Sequence, residues 1–286
     1  CRGGQPLTSK PTAHVKPNAL VELFGTERPI IGVVHARPLP GAPAYDGEPI
    51  EEVYAAGVTD GLAYRDAGLH GLIVENHGDI PFAKPDAIGQ ETAAAMGVLA
   101  ERVRVATGLP IGINVLANAA HTALAVAKAS QAGFVRVNEW ANAYVANEGF
   151  IEGPAGSATR YRAWLRARDV RVFADVHVKH GAHAIVADRS MDELVRDAEF
   201  FDADVLIATG QRTGDAATLD ELGAIKAAAA LPVVVGSGVD EDNVADILSV
   251  ADGAIIASSL KRDGVWWNEV EPERARSFMG RVASIT

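Results

Sequence analysis

The feature that most constrains this chain is a repeat. Eight short runs rich in Val and Ile are separated by longer alanine-rich stretches with helical periodicity. Strands are expected at Pro29–His35, Gly71–Glu75, Pro110–Val115, Phe134–Asn138, Arg171–Lys179, Val205–Thr209, Val233–Gly236 and Gly253–Ser258. Helices are expected near 50–67, 86–107, 118–132, 157–168, 190–201, 218–230, 241–249 and 272–284. Strands joined through helices pair in parallel, because only a crossover returns the chain to the same sheet edge. Eight such units predict a closed (β/α)8 barrel, the TIM-barrel architecture, with a doubly wound open sheet as the second choice. The 286 residues, 48% of them hydrophobic, suffice for one such core. No linker divides them, so a single α/β domain over 29–286 is expected after a polar leader, 1–28.

Local punctuation agrees. Gly68 and Gly133 follow helical stretches where a left-handed residue ends a helix, and Pro110 and Pro232 sit where extended chain must begin. Ser190 with Glu193 reads as a capping box. A net charge of −11 excludes a broad nucleic-acid or anionic-membrane surface, because both need clustered basic residues. There is one cysteine, Cys1, and no apolar run of about 18 residues, so neither a disulfide framework nor a membrane span is expected. The first 18 residues lack the apolar core of a signal peptide, which points to a cytoplasmic protein.

Polar residues concentrate after the strands, on the face that carries function in such barrels. In the fifth strand, alternation sets Phe173, Asp175, His177 and Lys179 on one face and Ala174, Val176 and Val178 on the other. The apolar set suits the helices, so the charged set is expected in the barrel mouth, either as an internal ion-pair network or as a catalytic cluster. His177, His180 and His183 form an HxxHxxH series. It runs from strand into loop and contains Lys179, so no metal is assigned to it, although Asp175 would be the added ligand if one bound. His35 and Glu75 end the first two strands and are further acid/base candidates. Asn76, Asn114 and Asn138 close three successive strands and suggest an amide-lined pocket, with His180 and Thr209 as additional substrate contacts.

The last three units suggest an anion site. Gly210 leads into Gln211–Gly214, Gly236-Ser237-Gly238 ends the seventh strand, and Ser258, Ser259 and Lys261 follow the eighth. Loops after strands seven and eight commonly bind phosphate in these barrels, through glycine amides, hydroxyls and a lysine. The connection Trp140–Gly156 is longer than an ordinary loop and reads as a lid or a subunit contact.

The segments His35–Gly41, Glu75–Phe82, Asn138–Arg162 and Ala174–His180 together resemble the BtpA/SgcQ family, over nearly the whole chain from about residue 29. The resemblance implies a phosphate-binding TIM barrel. One family member is associated with photosystem I biogenesis, and another lies with sugar-transport and phosphosugar genes. No catalytic residue carries over from the family. The chain is therefore expected to be an enzyme acting on a phosphorylated sugar or nucleoside-like metabolite. The chemistry would be acid/base cleavage of a glycosidic bond, isomerisation or an aldol-type lyase reaction. A non-catalytic assembly factor is the alternative. No cofactor is called for, and a homo-oligomer is expected.

Overall fold

A computed structural model describes residues 16–210 and 218–285. Eight parallel strands close into a barrel: β1 (Ile30–His35), β2 (Gly71–Glu75), β3 (Ile111–Asn114), β4 (Phe134–Val137), β5 (Arg171–Asp175), β6 (Val205–Ala208), β7 (Val233–Val235) and β8 (Ala254–Ile256). The last strand returns to the first, with Ile31 opposite Ile255. The expected single-domain (β/α)8 barrel is therefore present. The helices are α1 (Ala19–Phe24), α2 (Ile50–Ala67), α3 (Gln90–Thr107), α4 (Ala120–Ser130), α5 (Ala155–Trp164), α6 (Met191–Phe200), α7 (Leu219–Ala228), α8 (Val244–Leu248) and α9 (Pro272–Ala283).

Side chains alternate across each strand, and both faces are buried. Ile30, Val34, Leu72, Val74, Val135 and Val137 pack outward with the helices. Ile31, Val33, Ile73, Phe134, Phe173, Val205, Ile207, Val234 and Ile255 fill the lower interior. Phe134 and Phe173 stack with centroids 4.4 Å apart, and Phe24 of α1 meets both edge-on at 5.6 and 6.4 Å. Gly112 makes room for this cluster, since a Cβ there would lie 2.2 Å from the Phe134 ring.

Four sequence expectations are revised. Residues 19–24, assigned to the polar leader, form α1 and plug the barrel floor, with Asn18 accepting from the Leu20 N–H at 3.0 Å. The fifth strand was expected to reach Lys179 but ends at Asp175. Its ladders stop at Val137–Ala174 on one side and Asp175–Ile207 on the other, so later residues have no strand to pair with. The connection after β4 is not plain loop. It holds a hairpin, Ala143–Ala146 with Gly149–Glu152, to which Gly181–Ala182 adds as a third strand. Before β4 the left-handed residue is Gln131 (φ 60°) rather than Gly133, whereas Gly68 (φ 92°) ends α2 as expected. Ser190 Oγ does accept the Glu193 N–H, at 3.3 Å, while the Glu193 carboxylate goes to Arg196. Among the described residues no helix is long and apolar enough to cross a membrane.

Phe134 fills the space left by Gly112 of β3 and packs on Phe24 and Phe173, so its removal leaves a cavity in the floor. Phe134→Ala is expected to destabilise the barrel by about 3–5 kcal/mol. A lower denaturant midpoint with an unchanged m-value would register this loss.

Candidate active site

The alternation that puts Ile and Phe in the lower interior puts polar groups at its top. Continuing up the strands, the inward positions become His35 on β1, Glu75 on β2, Asn114 on β3, Arg136 on β4 and Asp175 on β5. His35, Glu75, Asn114 and Arg136 line a cavity of about 610 Å³ at the C-terminal mouth. Asn138, Lys179, His180, Gly236, Ser237, Gly238, Ser258 and Ser259 join them from the strand ends and loops. The hairpin reaches over the opening and contributes Tyr144, Ala146, Asn147 and Glu148. These residues belong to the connection expected to be a lid or a subunit contact.

One wall is built from two histidines and a carboxylate. His35 and Glu75 are register partners on adjacent strands. Glu75 Oε1 lies 3.7 Å from His35 Nε2 and 2.8 Å from His77 Nδ1. The two imidazoles stack with centroids 4.5 Å apart, under the Trp266 indole. His35 Nδ1 is 2.9 Å from the Trp266 carbonyl, an acceptor only, so this nitrogen carries the proton and Nε2 the lone pair. The other Glu75 oxygen accepts from Asn114 Nδ2 at 2.6 Å. Burial disfavours a charged imidazole and lowers the His35 pKa to about 3, with the nearby Glu75 working against the shift. For Glu75 burial opposes ionisation, but the His77 hydrogen bond and the charges of His77, His35 and Arg136 hold its carboxyl well below the usual range. The ligand atoms of His35, Glu75 and His77 all lie within 4.8 Å of one another, which makes them the group among the described residues able to share a metal ion.

The centre of the mouth holds a buried ion pair. Arg136 donates to both Asp175 oxygens, at 3.0 and 2.9 Å, and the Asp175 side chain is wholly buried. Asn138 Nδ2 lies 3.5 Å from the same carboxylate. Asp175 therefore faces inward as the alternation predicts, but both its oxygens are committed to the guanidinium. This geometry fits the ion-pair alternative better than a free acid/base. Glu139 sits nearby, 4% exposed, its backbone pinned on both sides by the Asn118 amide. Burial, with the Asp175 charge adding to it, pushes the Glu139 carboxyl up to about 8.

The other predicted residues separate into two groups. Lys179 reaches Ser237 Oγ at 3.1 Å and, with His180, lines the cavity. Gly236, Ser237, Gly238, Ser258 and Ser259 line the same cavity from the ends of β7 and β8, and β8 is the neighbour of the strand that ends in His35. A Cβ at Gly236 would come within 2.5 Å of Ile207, and Gly238 has a left-handed φ of 66°, so both positions need glycine. The remaining five lie elsewhere. His177, beyond the end of β5, turns to Glu221 at 3.3 Å instead of into the mouth. Thr209 Oγ1 donates to the His177 carbonyl, and buried Gly210 lies outside the lining. Asn76 is taken up by Asp79 and the Leu116 backbone, as a loop clamp. Lys261 is 1% exposed and bonds to Asp60 of α2 at 2.8 Å, so it ties the β8 loop to a helix. The stretch 211–214 lies outside the described residues. His183 turns its Nε2 to the Val178 carbonyl, so the HxxHxxH rings do not converge on an ion. The sequence assigned no role to His77, Arg136, Glu139 or Trp266.

A closed (β/α)8 barrel with a polar C-terminal mouth is thus the class of protein at hand. The BtpA family model matches residues 26–284, and the chain belongs to the BtpA family. It is 42% identical over 253 residues to an uncharacterized protein of Archaeoglobus fulgidus, covering 88% of this chain and 98% of that one. It is 37% identical over 265 residues to the photosystem I biogenesis protein BtpA of Synechocystis, covering 92% and 91%. Among solved structures, thiamine phosphate pyrophosphorylase from Pyrococcus furiosus superposes with a TM-score of 0.55 at 17% identity, over 91% of this chain and 98% of that one. Orotidine 5'-phosphate decarboxylase from Pyrococcus horikoshii gives 0.54 at 12%, over 89% and 99%. These two likenesses define the fold.

Removing one partner of a buried ion pair leaves the other uncompensated, at about 3–5 kcal/mol. Asp175→Ala is expected to lower the unfolding midpoint accordingly, with Arg136→Ala similar and the double variant far from additive. A second expectation concerns pH. Glu139 keeps its proton in the folded chain up to about pH 8, while the unfolded chain releases it near the ordinary 4.5. Folding therefore retains a proton that the unfolded chain loses, and this group's contribution falls as pH rises across that window. Glu139→Gln should flatten the loss of melting temperature between those limits and raise it at the alkaline end.

Proposed function

We propose that the chain is an enzyme acting on a phosphorylated sugar or nucleoside-like metabolite, held across the barrel mouth. The observation that carries this reading is the presence of an anion-suited wall and a titratable cluster in one cavity. A glycine–serine wall with the Lys179 ammonium faces it on one side, and the His35–Glu75–His77 cluster lies in the same cavity. The first suits an anion, because two glycines permit close backbone approach and the hydroxyls and ammonium donate. The phosphate end would lie at Gly236–Gly238 and Ser258–Ser259. Lys179 then stands as a charge donor beside Ser237 rather than as a carbonyl-condensing amine. Isomerisation or cleavage of a bond next to the phosphate-bearing sugar suits this layout better than a Schiff-base lyase. Asn114 and Asn138 each carry a buried amide oxygen with no hydrogen-bond partner, which supports a ligand with donor groups such as sugar hydroxyls. Thiamine phosphate pyrophosphorylase and orotidine 5'-phosphate decarboxylase are named for phosphorylated compounds, in keeping with this use of the fold.

The name of the Synechocystis relative supports a second reading, a role in assembly. One surface feature favours it. Val145 and Phe150, cross-strand partners in the hairpin, are both exposed. A scaffold, however, needs no polar cluster inside its mouth.

Thermal unfolding in the presence of pentose phosphates and nucleoside monophosphates separates the two. At about 100 times its Kd a true ligand adds about 2.7 kcal/mol, a rise of about 5 °C or more for a chain of this size. Lys179→Ala or Ser237→Ala should weaken that ligand by about 10- to 100-fold, the loss of one charge-assisted hydrogen bond. If no phosphorylated compound exceeds inorganic phosphate, the metabolite reading falls and the assembly reading stands.

A further inference from the structure

The geometry points to a divalent transition-metal site formed by His35 Nε2, Glu75 Oε1 and His77 Nδ1, open to the cavity and suited to Zn²⁺ or a neighbouring first-row ion. Two imidazoles and one carboxylate are a recurrent ligand set for catalytic metals, which keep three protein ligands and leave further positions to water or substrate. Tetrahedral bonds of about 2.0–2.1 Å place ligand atoms about 3.3 Å apart. The carboxylate oxygen stands 3.7 Å from one nitrogen and 2.8 Å from the other, so values on both sides of that spacing are already present. The two imidazoles, stacked at 20° in this structure, turn apart on coordination so that both lone pairs meet the ion.

The surroundings of the three ligands make the case more than the ligands alone do. Metal-bound histidines nearly always donate their other ring nitrogen to a carbonyl or carboxylate, which fixes ring and tautomer. His35 has that partner in the Trp266 carbonyl at 2.9 Å. A ligating carboxylate is itself usually hydrogen-bonded, and Glu75 has that bond from Asn114 at 2.6 Å. The remaining oxygen of the Asn114 amide is buried and has no hydrogen-bond partner. A water on the ion always presents donors, and this oxygen is placed beside the cluster to accept one. Without an ion, the His77 proton bridges Nδ1 and Glu75 Oε1. The ion replaces it there, and the proton leaves to solvent. Imidazole ligands favour Zn²⁺, Co²⁺ or Fe²⁺ over Mg²⁺ and Ca²⁺, which prefer all-oxygen sets. Such an ion would polarise a carbonyl or phosphoryl oxygen, or activate a water, in the cavity that the glycine–serine wall also lines.

Metal binding at this cluster is measurable without any organic ligand. The full chain, stripped with a chelator and titrated with Co²⁺, is expected to bind one equivalent with the intense visible absorption of a low-coordinate site. Zn²⁺ should displace it. Glu75→Gln, His35→Ala and His77→Ala should each weaken binding by at least about 100-fold, and Asn114→Ala by about 10- to 100-fold. His121→Ala, on α4, should change nothing. Circular dichroism checks that each variant folds. X-ray absorption of the Zn²⁺-loaded unaltered chain, which needs no variant, should show imidazole scattering. Absence of saturable one-equivalent binding, binding that survives loss of both His35 and His77, or a metal spectrum without imidazole would each overturn the assignment.

Discussion

A parallel sheet closed on itself leaves an interior that only side chains can fill, and everything distinctive here follows from how this one is filled. The inward positions of the strands start apolar and end polar. Phe134, Phe173 and the aliphatic residues around them pack the lower interior, and α1 seals it from below with Phe24. Above them the same alternation delivers His35, Glu75, Asn114, Arg136 and Asp175 to the mouth. The apolar layers keep water out from beneath, so charges at the top interact across a dry floor. In such surroundings unpaired groups are expensive and paired ones strong.

The charges at the top are arranged accordingly. Arg136 is paired through two hydrogen bonds with Asp175, and Glu75 is flanked by two imidazoles and an amide. Glu139, which lacks such a cation, is the carboxyl that burial drives towards its neutral form. Three carboxylates within one mouth thus meet three different environments. Their chemistry is set by what stands opposite each of them rather than by residue type.

That distinction also marks what the sequence revealed. The eight strands, all eight barrel helices and the direction of Asp175 were legible, because periodicity is local and both faces of the sheet are buried. The partners were not. Arg136 reaches Asp175 diagonally across two strands, and Lys261 finds Asp60 on a helix 201 residues away in sequence, so no spacing announces either contact. His77 was hidden for another reason. It lies two residues past the end of β2, where a strand pattern no longer says which way a side chain turns, yet its ring folds back over His35. Its nearness to Glu75, the register partner of His35, was the available signal. The hairpin escaped notice because small residues at Ala143 and Ala146 blur its alternation, and because its third strand, Gly181–Ala182, comes from another loop. The α1 plug carries too short a pattern, six residues, to stand out from a polar leader.

That third strand has a mechanical consequence. Val145 and Ala146 of the hairpin pair with Ala182 and Gly181, two residues past Lys179 in the loop that follows β5. The cover over the mouth and the segment bearing the ammonium that touches Ser237 are therefore one hydrogen-bonded body. Any displacement of the hairpin would pull on the backbone two residues from Lys179. Cover and ammonium are thus held on one backbone ladder, like a latch fixed to its own door.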